Sequence, residues 1–118
     1  MGSIRLMITT HVLDLARGRP AAGVAVVLER LGRGGEWLPL GAASTDADGR
    51  VTAWPGGSPD PARGTYRLRF DTAAYFRGQG VESFHAEVTV AFELVDVARH
   101  CHVPLLLSPF GYSTYRGT

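Results

Sequence analysis

A chain of 118 residues is long enough for one domain with a single sizeable core and needs no metal or disulfide to staple it. Twelve basic residues, every one an Arg, stand against 11 acidic ones for a net charge of +1, which removes the electrostatic case for a nucleic-acid or membrane-surface partner. One cysteine excludes an internal disulfide, and no apolar run near Met1 has the length of a signal peptide or a membrane span, so a cytoplasmic protein is expected.

Met1-Gly2-Ser3 reads as a vector remnant and is set aside; no repeat, low-complexity tract or linker divides the rest, so residues 1–118 are one domain. Residues 5–13 are rich in β-formers and predict a first strand with His11 near its end. Gly and Pro punctuate 16–23, and the apolar run 24–31 predicts a second, more buried strand. After a turn at 32–35, residues 37–45 suit a third strand hairpinned to the second. Asp46-Ala47-Asp48-Gly49 then supplies an Asp-Gly turn into Arg50-Val51-Thr52-Ala53. Residues 55–61 hold three prolines and cannot continue a ladder, so a surface loop is expected.

Tyr66, Leu68 and Phe70 alternate with Arg67, Arg69 and Asp71, the period-two pattern of a half-buried strand. Asp71 or Thr72 can cap a short helix over 72–77, with Gly78 expected to end it in the left-handed conformation. Val88, Val90, Phe92 and Leu94 repeat the alternation. A last strand over 100–107 places His100 and His102 on one side and Cys101, Val103, Leu105 and Leu107 on the other, and the aromatic, β-branched tail to Thr118 is expected to pair beside it. Seven or eight short antiparallel strands with one helix predict an all-β fold, a two-sheet β-sandwich rather than a barrel, because one face of each strand stays polar.

Taken singly, the polar residues have plain readings. The histidine pair is either a solvent-facing couple or a site, Arg50 a solvated charge after a turn, His11 structural, and Tyr115 a packing residue. Cys101 faces away from His102 and is read as core or interface packing rather than as a nucleophile. A His-x-His zinc site would need a third protein ligand, for which only His11 is evident. His85 has no evident partner.

Together, Thr10-His11-Val12-Leu13-Asp14 with Gly18-Arg19-Pro20-Ala21, Thr45 to Arg50, Tyr75-Phe76, Glu82-Ser83-Phe84, and above all His102 to Ser108 followed by Gly111 to Gly117, resemble the transthyretin-like family and, within it, the 5-hydroxyisourate hydrolases of urate breakdown. The resemblance runs from Ile8 to Thr118. It departs at Cys101, where the family usually has Tyr, and at Thr118, where it usually ends in Ser; Thr keeps the hydroxyl and the terminal carboxylate. It implies a transthyretin-like sandwich and a site lined by His11, Arg50, His102 and residues 115–118. The implied reaction opens the ring of 5-hydroxyisourate at an amide-like carbonyl, yielding 2-oxo-4-hydroxy-4-carboxy-5-ureidoimidazoline, with no metal or other cofactor.

For that chemistry, His102 is the leading general base and His11 assists, since imidazole titrates near neutrality. Arg50 offers a charged planar fork to anchor the substrate and steady developing charge. Tyr115 can bind the ring, while Arg116 and the carboxylate of Thr118 fix the tail or orient the imidazole. The resemblance also implies a homotetramer, a dimer of dimers with sites where the dimers meet. A non-catalytic carrier of a small ligand on the same fold is the alternative, and a structural domain of a larger assembly a third reading; neither requires the joint presence of His11, Arg50 and His102.

Overall fold

The computed structural model describes residues 8–55 and 62–118, so the expected strand residues 5–7 and most of the expected 55–61 loop lie outside the described residues. Among the described residues the chain forms β1 (Ile8–Asp14), β2 (Arg19–Pro20), β3 (Ala25–Leu31), β4 (Trp37–Ser44), β5 (Arg50–Val51), β6 (Gly64–Phe70), α1 (Thr72–Arg77), β7 (Val88–Leu94), β8 (Cys101–Ser108) and β9 (Gly111–Thr114). One sheet runs β2-β1-β8-β9 with β5 also on β1; the other runs β4-β3-β6-β7. Seven or eight strands are expected; β5 falls in the expected 50–53 segment, and the two-residue β2 is an addition. β2 arises inside the expected 16–23 turn, where Arg19 and Pro20 pair with Asp14 and Leu13.

Alternation decides what each strand buries. Tyr66, Leu68 and Phe70 of β6 turn inward with Val26 and Leu28 of β3, and meet Ile8, Val12, Leu105 and Leu107 from the other sheet. Each such side chain removed from water contributes roughly 1.5–3 kcal/mol, the main force holding the layers together. Several polar groups caught inside are paired, while Thr72 Oγ1 and Arg69 Nε are buried without a hydrogen-bond partner among the described residues. Thr45 Oγ1 accepts from the Val24 amide at 2.9 Å and donates to the Ala21 carbonyl at 2.6 Å, and Trp54 Nε1 donates to the Ile8 carbonyl at 2.8 Å. Buried Asp14 accepts from the Tyr75 hydroxyl at 2.7 Å, pinning the helix to the first strand.

Two expectations are corrected. Most ladders are antiparallel, but β1 and β8 run parallel from Ile8 opposite Cys101 to Asp14 opposite Leu107. Hairpin neighbours must be antiparallel; strands at opposite ends of the chain have a long enough connection to pair either way. The second concerns Gly78, which is right-handed at φ −62°. The chain coils for two more residues, and Gly80 at φ +69° makes the left-handed turn, its amide bonding to Arg77 and that of Val81 to Phe76. The start is as expected, with the Asp71 carboxylate accepting from the Ala74 amide.

Candidate active site

β1 is the scaffold. Ile8, Thr10, Val12 and Asp14 point into the sandwich, so Thr9, His11 and Leu13 face the opposite side of the sheet. Residues paired across a ladder share a face, and β1 pairs on both edges: His11 opposite Arg50 of β5, Thr9 opposite His102 of β8. His11, Arg50 and His102 therefore come together on one outer face, from positions up to 91 residues apart in sequence.

The turn before β5 aims Arg50. The Asp46 carboxylate accepts from the backbone amides of Asp48 and Arg50, each at 2.9 Å, and the Asp46 amide donates to the Arg50 carbonyl. Gly49 is left-handed at φ +77°, and its carbonyl takes the Val12 amide at 2.7 Å, tying the turn to β1. A Cβ on Gly49 would collide with the Val12 carbonyl, so the close approach admits no side chain.

His102 sits half-buried with Nδ1 2.8 Å from Thr9 Oγ1, leaving Nε2 as the nitrogen free to act. Its pKa is lowered from the usual 6.5, first by burial and then by the positive charges of His100, Arg50 and His11. At neutral pH the ring is therefore mostly uncharged. The tail closes on the same strand: Thr114 Oγ1 donates to the Pro104 carbonyl at 2.7 Å, and the Gly117 amide donates to the His102 carbonyl at 2.8 Å. A Cβ on Gly117 would lie 2.7 Å from His102 Cδ2, so the glycine backbone is itself a wall of the imidazole's seat.

The other expected residues flank this group. Exposed Tyr115 and Arg116 line, with His100, Cys101 and His102, a cleft of about 500 Å³ between the tail and β7. His11 and Arg50 are not in its lining; they stand beside it on the open sheet face. Thr118 is exposed, one residue beyond the Gly117 bridge. Cys101 packs against the core, where burial pushes its thiol up, opposed in part by Arg116, as befits a packing residue. His85 is held edge-on by Phe84 and Tyr112 at 5.0 and 5.1 Å between ring centres. Among the described residues no group of three or more His, Cys, Asp or Glu is arranged to hold a metal ion.

Sequence reasoning missed Thr9 and gave Gly117 no role of its own. Strand alternation puts Thr9 on the face of His11, but its meeting with His102 depends on the register of β1 against β8, which no local pattern carries.

The model of the HIUase/Transthyretin family matches residues 8–117. The chain is 47% identical over 115 residues to a 5-hydroxyisourate hydrolase of Halalkalibacterium halodurans, covering 94% of this chain and 97% of that protein. Among solved structures it resembles the 5-hydroxyisourate hydrolase of Klebsiella pneumoniae, with a TM-score of 0.80 and 37% identity over 94% of this chain and 98% of that one. It also resembles sea bream transthyretin in complex with thyroxine, with a TM-score of 0.86 and 32% identity over 95% of each chain.

Proposed function

Because this chain belongs to the HIUase/transthyretin family, we infer that it is a 5-hydroxyisourate hydrolase of urate degradation. Backbone likeness alone does not separate hydrolase from carrier, since the transthyretin superposes as well; identity favours the hydrolase, at 37% for the Klebsiella pneumoniae hydrolase against 32% for the transthyretin among solved structures, and 47% for the Halalkalibacterium halodurans hydrolase. The carrier alternative is not favoured.

The reaction we propose is hydrolytic opening of a cyclic amide-like bond by imidazole acid–base chemistry. The observation that supports it is the double register of β1, with His11 opposite Arg50 and Thr9 opposite His102. Neutral His102 takes a proton from water at Nε2 as the oxygen attacks the ring carbonyl. Arg50 holds the anionic planar ring and the oxygen on which charge develops, with a fork of donors that stays charged at any working pH. His11, beside Arg50, assists by holding the substrate ring in place, and Tyr115, Arg116 and Thr118 complete the binding surface. A homotetramer belongs to this reading, since the face carrying the three residues is open in a single subunit. So does a cytoplasmic location, because the one cysteine is free and needs no oxidising compartment.

The test generates 5-hydroxyisourate in place by oxidising urate and follows its ultraviolet decay. Wild-type protein accelerates the decay over buffer, and His102→Ala and Arg50→Ala each cut turnover by roughly two orders of magnitude. A folded variant turning over at the wild-type rate removes that residue from the mechanism.

A further inference from the structure

We propose that Thr9 is a positioning residue that joins His102 to His100 in a proton relay, an inference that rests on the hydrolase reading. Its hydroxyl lies 2.6 Å from His100 Nε2 and 2.8 Å from His102 Nδ1, while the two rings stand 6.0 Å apart and tilted, too far to bond directly. Thr9 is buried at 8% exposure, whereas His100 is exposed to water. The link therefore runs from the half-buried base, through a hydroxyl largely shielded from solvent, to a ring that solvent can reach.

A hydroxyl has one proton to give and can also accept, and the relay has it donate to one of the two facing nitrogens and accept from the other. In that arrangement the two nitrogens are in opposite states: when one carries a proton, the other does not. In the resting arrangement His102 holds its proton on Nδ1 and donates to Thr9, which donates to His100 Nε2. His102 Nε2 then takes a proton from the attacking water as the water oxygen bonds to the carbonyl carbon. The Nδ1 proton passes to Thr9 Oγ1 while the Thr9 proton passes to His100 Nε2, so the positive charge moves onto His100. When the carbon–nitrogen bond breaks, the departing nitrogen receives the Nε2 proton of His102, and the relay runs back from His100 to His102 Nδ1. One water proton ends on the nitrogen, the other on the new carboxyl group, and both rings return to their starting state.

The surroundings favour this route. His102 faces His100, Arg50 and His11, and shares the cleft wall with Tyr115 and Arg116. A positive charge resting there meets like charges in a partly desolvated seat; on His100 it meets water. The relay thus removes charge from the position where Arg50 must keep its hold on an anionic substrate.

Thr9→Val keeps the shape and loses the hydroxyl, Thr9→Ser keeps the hydroxyl, and His100→Gln, at an exposed position, removes the far proton holder while leaving the fold intact. With 5-hydroxyisourate generated in place, Thr9→Val lowers kcat at least tenfold with KM within about twofold, Thr9→Ser restores kcat to within about threefold of wild type, and Thr9→Val with His100→Gln together is no slower than Thr9→Val alone. In mixed heavy and light water, the wild-type rate bends with deuterium fraction as more than one proton moves, and the His100→Gln rate is linear. A kcat unchanged in His100→Gln with the same curved dependence overturns the relay, as do losses that multiply in the double variant. Those outcomes leave the hydrolase reading standing; a wild-type protein with no effect on the decay sinks both.

Discussion

His102 is where burial and charge act on a single ring, and its titration reports both. Desolvation leads, followed by the positive charges of His100, Arg50 and His11, and all four push the pKa below 6.5. The sign follows: between its folded value and 6.5 the unfolded chain binds a proton that the folded ring refuses, so His102 costs no stability above 6.5 and erodes it as pH falls. The acid limb of kcat/KM should accordingly lie below 6.5. In an NMR titration, Arg50→Gln should move the His102 midpoint upward, because one of the opposing charges is gone; a midpoint that stays put or falls would show that the guanidinium does not face the ring. At this scale the sequence was legible as far as alternation reaches. It put His100 and His102 on one face and Cys101 on the other, and it was blind to Thr9, whose two imidazole contacts span 91 and 93 residues.

Among the elements, the Asp46–Gly49 turn and β5 carry more of the site than their length suggests, since they alone set Arg50 against His11. Gly23 and Gly49 are both left-handed, at φ +80° and +77°, but only Gly49 has a backbone carbonyl where a Cβ would go. Gly23→Ala should therefore cost about 1 kcal/mol from backbone conformation alone, and Gly49→Ala roughly 2 kcal/mol or more, with a fall in turnover that Gly23→Ala does not share. Urea unfolding of the two variants checks this, and equal midpoints would mean the turn gives way without disturbing β1. Strong local signals made most elements readable: strict alternation for β6 and β7, the Asp-Gly turn before β5, and Asp71 at the start of α1. What local signals could not reach were choices made over distance, the parallel pairing of β1 with β8 and the extra turn that carries the left-handed position from Gly78 to Gly80.

At the scale of the molecule, one chain leaves the face that carries His11, Arg50 and His102 open. Among the described residues β7 and β9 close their sheets with no strand beyond them, and an exposed edge is a template for another chain. Phe110 at 67%, Tyr115 at 58% and Val95 at 59% exposure lie on β7, β9 or the turns beside them, and a net charge of +1 offers little repulsion between copies. These features favour assembly through the same end of the sandwich that carries the tail and His102. Sedimentation of the wild-type protein should give four times the mass of the chain, and Phe110→Asp should shift it to smaller species. Because Phe110 is exposed, the subunit keeps its circular dichroism, so a loss of turnover on dissociation would be a loss of the site's walls rather than of the fold. A monomer that hydrolyses substrate at the wild-type rate would mean that His11, Arg50 and His102 need only their own sheet.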